Sequence, residues 1–478
     1  MKSLLSYNET LQAVSSSHVF SFANENEFSF LSVATDSRNC KAHSLFVPLL
    51  GEKQNGHEFI ESAIANGARV VFVAESELES DGEKYKAFSE KYREVFFVVV
   101  KQTLYALQNL ARFYVEKFPH LKKIGITGSS GKTTTKELLV ALLKKKYRVV
   151  YNEGNLNSET GLPLSVFKIT DADEVGVFEM GMNRENEIAE LATVLKPNVA
   201  LITNIGSAHI GILGSKKNIA NEKRKIFSFI KNNGAAFIPN DDEFKNFLAE
   251  NVKGKIIFFG EDEKLNLKKI SSEGFFGTTF SFQNEIIHFP IAGIHNFKNA
   301  LAAIFVANFF GVNAKDIKAV LENVSSVAGR TDVQKVLLKN NFSFTLVNDC
   351  YNANPESMRA SILLCEEQNS FKQKLYVLGD MKELGEVSFV EHKKLGALLS
   401  KSSATIFFVG NEMKAAFDEA RKLGLKNAKY FSSSDEKNLQ TIAEFILKNN
   451  FDFVLLKASN SMNLGVLLSF LKKEEAIA

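Results

Sequence analysis

Tryptophan is absent from the 478 residues, cysteine occurs only three times, and neither sign of charge dominates, the formal net charge being +3. So small a charge over this length excludes the electrostatic footprint of a nucleic-acid or anionic-membrane binder. Cys40, Cys350 and Cys365 are odd in number and lack metal-ligand spacing, which points to reduced thiols and not to a disulfide framework. Long apolar runs are also missing: VFFVVV at 95–100 falls far short of the ~20 residues a membrane span needs. The opening stretch, MKSLLSYNETLQAVSSS, has no unbroken apolar core of a secretory signal, so the expected location is the cytoplasm. No low-complexity linker or internal repeat marks a boundary. The 42 phenylalanines carry no functional reading.

What is present is ordinary soluble composition, 45% hydrophobic and 24% charged, on a chain long enough for roughly three domains of about 150 residues. Pattern sets the divisions. Residues 1–97 mix short strands (SLFVPL, RVVFVA, VFFVVV) with the turn-rich GEKQNGHEF. From Lys122 apolar runs (IGIT, VGVFEM, VALITNI) alternate with helical stretches, which predicts a buried, mostly parallel sheet. After Arg330 the alternation restarts through FTLVND, KLYVLGD, TIFFVG and FVLLKAS, a second doubly wound unit. The expected fold is α/β in three domains: a small mixed α/β unit at 1–97, a central P-loop ATPase parallel sheet at 98–326, and a Rossmann-like doubly wound unit at 327–478.

TGSSGKTTTKE, 127–137, lies between an apolar run and a helical pattern. A strand delivers the chain into a Gly and Ser loop, and the following helix offers free amides and a positive dipole end. Gly128, Ser129, Ser130 and Gly131 let the backbone curl around phosphate oxygens. Lys132 adds a point charge, Thr133 has the hydroxyl position that touches Mg2+, and Thr134 continues the turn. The strict Walker spacing is not met, since the position five before Gly131 is Ile126. Glu179 ends a strand of the same sheet, at the same carboxyl edge, where an acid can hold Mg2+. The loop is read as a nucleotide phosphate site.

The shorter TGxxGKTT form resembles the Mur ligases and their folylpolyglutamate synthetase relatives. That resemblance implies ATP-dependent activation of a carboxylate as an acyl phosphate. It extends to TNIGSAH, whose His209 would ligate a second metal, and to IANEKRKIF, whose Lys223 would be carbamylated by CO2 and become a metal ligand. Lys132, Lys223, His209 and Glu179 are thus the expected catalytic set; Thr133, Glu179, His209 and carbamylated Lys223 are the expected Mg2+ ligands. Arg224 and Lys225 follow Lys223 where relatives carry x-Glu, which adds positive charge nearby. IAGIHNFKNALAA resembles the HNxxNxxAA signature, placing Asn296 and Asn299 near adenine; Asn296 equally suits a helix cap. Arg330 of GRTD would clamp phosphate when the last domain closes.

VNDCYNANPESM and LGDMKELGE resemble segments of the family member that adds D-alanyl-D-alanine to UDP-N-acetylmuramoyl-tripeptide. By that resemblance Asp349 belongs near the ATP ribose and phosphates, and Tyr351, Asn352 and Asn354 line the cleft. Asn348, Cys350, Ala458 and Asn460 depart from the usual pattern. In the first domain ATDSR, LFVPLLGEKQNGHEFI and NGA resemble the UDP-sugar module, implying substrate contacts from Ser37, Arg38, Gly56, His57 and Phe59. NLNSETGLP adds Asn155 and Asn157. The expected partners are the UDP-sugar tripeptide and the dipeptide, bound by a monomer. Two rivals stand beside this reading: a ligase for another amino acid, and a nucleotide-binding scaffold without chemistry.

Overall fold

Four sheets carry the architecture of the computed structural model, which describes residues 3–16, 18–51, 54–338 and 342–472. In the first module β1 (Val19–Phe20), β2 (Ser32–Ala34), β3 (Ser44–Phe46), β4 (Ala68–Ala74) and β5 (Phe96–Val100) form one sheet, ordered β1-β5-β4-β3-β2. Only β1 runs antiparallel to its neighbour. The expected boundary at 97 is corrected here: it cuts β5, all of whose residues pair with β4 from Val70 to Ala74.

The second module holds β6 (Lys122–Thr127), β7 (Val149–Tyr151), β8 (Val175–Glu179), β9 (Val199–Ile202), β10 (Ala235–Pro239) and β11 (Lys255–Phe259). All pair in parallel, in the order β11-β10-β9-β6-β8-β7. Every residue of β8, β9 and β10 is buried, as strands covered by helices on both faces must be. Because β8 and β9 lie on opposite sides of β6, the segments that leave these three strands converge at one carboxyl edge, where α/β sheets bind ligands.

A three-stranded antiparallel meander follows: β12 (Lys268–Ser272), β13 (Thr278–Phe282) and β14 (Glu285–Phe289). The sequence reading did not separate it, because its short strands alternate polar and apolar residues. One face sends Phe280, Phe282, Ile287 and Phe289 into the core shared with the helix Ile294–Phe309. The third module orders β15 (Asp332–Leu337), β16 (Ser343–Asp349), β17 (Lys374–Gly379), β18 (Thr405–Val409), β19 (Ala428–Phe431) and β20 (Phe453–Lys457) as β15-β16-β20-β17-β18-β19. Only β15 is antiparallel.

The helix Thr103–Glu116 joins the first two modules into one core. Its Leu107, Leu110 and Val115 are fully buried among Val70, Phe72 and Val98 of the first sheet and Leu162 and Leu191 of the second module. Each such side chain contributes about 1.5–3 kcal/mol by leaving water, and the Tyr114 hydroxyl donates to the Ile169 carbonyl at 2.8 Å. The three cysteines are unpaired. Among the described residues no helix is long and apolar enough to cross a membrane.

Candidate active site

The loop leaving β6 can be made only with glycine at two points. Gly128 has φ +155° and Gly131 φ +77°; a Cβ on Gly128 would stand 1.8 Å from Thr203 Oγ1, and one on Gly131 2.1 Å from Asn299 Oδ1. The chain leaving β9 braces the loop. Asn204 accepts from the Ser130 N–H at 3.1 Å and donates to the Ser130 carbonyl at 3.0 Å. Thr203 Oγ1 donates to the same carbonyl at 2.6 Å, and Ser129 Oγ accepts from the Gly206 N–H at 2.8 Å. The helix Lys132–Leu143 has no side chain capping its first turn, which leaves those amides for an anion.

Lys132, half-buried, and Lys223, buried, both donate to the Gly128 carbonyl, at 2.9 and 3.0 Å. Loss of solvation lowers both amines below the usual lysine range, and Lys132 depresses Lys223 further. Lys225 does not intrude: its amine bonds to Glu222, at 2.5 Å, and to Asn186, at 2.7 Å.

Thr133 Oγ1 donates to Glu179 Oε2 at 2.8 Å and accepts from Arg330 Nη2 at 2.9 Å. The other Glu179 oxygen accepts from Asn157 Nδ2 at 2.6 Å. Asn152 clamps the Glu179 backbone, accepting from its N–H at 2.8 Å and donating to its carbonyl at 2.9 Å. The Arg330 guanidinium stacks 3.8 Å from the centre of the Tyr351 ring. A carboxylate oxygen of Glu383 lies 2.8 Å from His209 Nδ1. Burial lowers the histidine, with Lys223 and Lys132 adding to the effect and Glu383 opposing it.

The third module therefore meets the loop through several contacts. Asn354 Nδ2 donates to Ser130 Oγ at 2.9 Å. Glu356 accepts from the Ser207 N–H at 3.0 Å and from its hydroxyl at 2.8 Å. Beside Gly131 a cavity of about 440 Å3 opens, lined by Asn204, Phe259, His295, Lys298 and Asn299, within the size range of small-molecule sites. Among the described residues no three His, Cys, Asp or Glu side chains converge as a cation cage. Buried Glu179 beside the Thr133 hydroxyl fits Mg2+, which takes one or two carboxylates and leaves its other positions to phosphate and water.

Several expected positions fall elsewhere. Asp349 is turned inward: it accepts from Lys457 at 2.6 Å, from Ser361 at 2.5 Å and from the Thr331 N–H at 3.1 Å, so its charge is matched inside the module and not offered to the loop. Asn352 folds onto its own backbone, accepting from the Ala353 N–H at 2.8 Å. Asn296 is not the helix cap, which is Gly293; its amide donates to the Ala292 carbonyl at 2.8 Å and accepts from Asn299 at 3.3 Å. His57 is a scaffold residue. Its Nε2 accepts from the Ala74 N–H at 3.1 Å, which leaves the proton on Nδ1, 2.9 Å from Asn55 Oδ1. Burial pushes its pKa down to about 4.

In the first module Ser37 is buried and its carbonyl accepts from Asn66. Gly56 packs where a Cβ would stand 2.6 Å from the Leu49 nitrogen. Arg38 pairs with Asp36 at 2.6 Å on the surface, Phe59 is exposed, and so is Asn155. Sequence reasoning missed Asn152, Thr203, Glu356 and Glu383. Thr203, Glu356 and Glu383 carried a signal, since they sit inside the quoted segments TNIGSAH, VNDCYNANPESM and LGDMKELGE; Asn152 lies outside all of them.

The matches to known proteins follow the same three modules. The Mur ligase family catalytic domain matches residues 30–114, the Mur ligase middle domain 126–307, and the Mur ligase glutamate ligase domain 329–460. The UDP-N-acetylmuramoyl-tripeptide--D-alanyl-D-alanine ligase of Treponema pallidum is 40% identical over 98% of this chain and 100% of its own. That of Bacillus subtilis is 34% identical over 90% and 91%. Among solved structures, MurF from Acinetobacter baumannii superposes with a TM-score of 0.82 at 28% identity, covering 98% of both chains. MurF ligase from Thermotoga maritima in complex with ADP gives 0.75 at 29%, covering 93% of this chain and 97% of the other. With all three modules matched in order and a relative of this identity spanning nearly the whole length, the chain belongs to the Mur ligase family.

Proposed function

We propose that the protein is an ATP-dependent ligase that joins D-alanyl-D-alanine to UDP-N-acetylmuramoyl-tripeptide in peptidoglycan precursor synthesis, releasing ADP and phosphate. The observation that carries this is the meeting of the phosphate loop with the third module: Asn354 and Arg330 bond directly to loop residues Ser130 and Thr133. A site that only held nucleotide would not need a second module on the loop. A ligase does, because the amine must reach a carboxylate that ATP has just activated.

The amides of the first turn of Lys132–Leu143 and the Lys132 amine bind and orient the triphosphate. The cavity beside Gly131 takes the adenosine. The tripeptide carboxylate attacks the γ-phosphate to give an acyl phosphate and ADP. The dipeptide amine adds to the acyl carbon, and collapse of the tetrahedral intermediate forms the amide and expels phosphate. Arg330, held over Tyr351, neutralises phosphoryl oxygens from the side of the third module, whose docking also excludes water. Mg2+, about two ions in such a site, would be held by Glu179, Thr133 and His209, supplying Lewis-acid neutralisation of oxygen charge. Lys223 is buried with its amine held toward the neutral form, the form that reacts with CO2, and carbamylation there would add a further anionic ligand. The reading takes the enzyme as a monomer, and dependence on ATP and a UDP-linked precursor suits the cytoplasm.

Phosphate release from ATP tests the assignment. It is expected only when tripeptide nucleotide and D-alanyl-D-alanine are both present, with the pentapeptide nucleotide as product. Release that ignores either substrate would reject it.

A further inference from the structure

The amino-terminal edge of the second sheet, opposite the phosphate loop, holds a cavity of about 520 Å3 lined by Lys123, Lys196, Asn198, Phe229, Lys231 and Asn233. Lys123 lies at the start of β6, Asn198 directly precedes β9, and Lys231 and Asn233 precede β10. These strands are parallel neighbours, so their entry residues meet at one end of the sheet. Backbone contacts fix them there. The Lys123 N–H donates to Asn198 Oδ1 at 2.9 Å, and the Asn198 N–H to the Lys123 carbonyl at 2.8 Å. The turn at Lys231 is closed by the Gly234 N–H, which donates to the Lys231 carbonyl at 2.8 Å. It packs so tightly that a Cβ on Gly234 would stand 2.2 Å from the Asn198 carbonyl oxygen.

Three lysines line the cavity and no carboxylate does. Lys196 is accounted for: it sits at the carbonyl end of the helix Glu187–Leu195, where a cation is favoured, and it pairs with Glu116. Lys123 is not. It is half-buried, and among the described residues its amine has no hydrogen bond or ion pair. Burial lowers its pKa, with Lys196 and Lys231 adding to the effect and Glu116 opposing it. Lys231, exposed, is likewise unpaired among the described residues. Holding a partly desolvated cation beside two others costs free energy that a bound anion would offset. Asn198 adds a donor, since its Oδ1 is occupied by the Lys123 N–H and its Nδ2 is left over.

The volume lies within the ~300–1,000 Å3 of small-molecule sites. Separate amines on separate strands complement a ligand whose negative charge is spread along its length and whose oxygens only accept, which describes linked phosphates. Five residues of β6 at ~3.3 Å each put Gly128 roughly 16 Å from Lys123, so an anion held here does not touch the loop. We propose that this cavity binds the phosphate chain of a small di- or triphosphate, as a second anion site, with Lys123 and Lys231 supplying the charge and Asn198 a hydrogen bond. The inference goes beyond the ligase reading and does not depend on it.

The probe is inorganic tripolyphosphate without metal, titrated calorimetrically into Lys132→Ala, in which the loop is weakened, and into the same protein carrying Lys231→Gln or Lys123→Gln/Lys231→Gln. Lys132→Ala should bind the probe. Lys231→Gln should weaken that binding about 10-fold, the loss of one charged hydrogen bond, and the double substitution about 100-fold. Orthophosphate, too short to reach both amines, should bind at least ~10-fold more weakly than the chain. Lys231 is exposed, so Lys231→Gln should melt with its parent and report on binding alone. No binding to Lys132→Ala, an affinity indifferent to both substitutions, or orthophosphate binding as tightly as the chain would each overturn the proposal.

Discussion

The side-chain amines of Lys132 and Lys223 converge on one oxygen, the Gly128 carbonyl, at 2.9 and 3.0 Å. Burial of Lys223, and after it the charge of half-buried Lys132 on the same acceptor, lower Lys223 well below its usual range. A lysine so depressed binds fewer protons folded than unfolded, so stability rises with pH up to about 10.4, the unfolded value. Lys223→Met removes the cost of burying that amine. The variant is expected to melt no lower than wild type, to show a flatter rise of Tm with pH, and to lose at least ~100-fold in turnover. Wild-type enzyme stripped of CO2 should regain activity on adding bicarbonate; indifference to bicarbonate would count against the carbamate.

Lys132→Ala removes a charge aimed at the phosphates and leaves the loop's glycines and braces in place. Turnover is expected to fall ~10²–10³-fold, with the circular dichroism spectrum unchanged. Near-normal steady-state turnover would contradict the loop's role.

Gly211 and Gly385 pack backbone to backbone where the second and third modules meet. A Cβ on Gly211 would stand 2.4 Å from the Gly385 nitrogen, and the Gly211 N–H donates to the Glu383 carbonyl at 3.1 Å. Gly211→Ala is expected to push the third module off the loop by part of an ångström, enough to cost ~10²-fold in kcat. Nucleotide binding, built on the second module, should change little by calorimetry. An unimpaired kcat would show that this contact is not needed for catalysis.

His57 predicts a pH dependence of stability with no part in the chemistry. Its folded pKa of about 4 lies below the ordinary 6.5, so between these values the unfolded chain binds more protons and stability rises with pH. The contribution is complete above pH 6.5 and is lost as pH falls toward 4, about 3 kcal/mol by the usual conversion. Thermal melts across that window should show the loss, and His57→Gln should flatten it. An identical slope in the variant would refute the buried neutral ring.

The sequence alone determined the strand and helix alternation, the parallel sheets of the second and third modules, and the phosphate loop. These signals are local: a glycine's allowed φ, the period of apolar residues, and a lysine and threonine at a helix start act within a few neighbours. Tertiary structure decided which polar side chains face the loop. Glu356 meets Ser207 across 149 positions and Arg330 meets Thr133 across 197, whereas Asp349 and His57, equally plausible by type, are consumed by Lys457 and Ala74. A carboxylate or imidazole takes whatever partner its burial requires, and that partner exists only after the modules have packed.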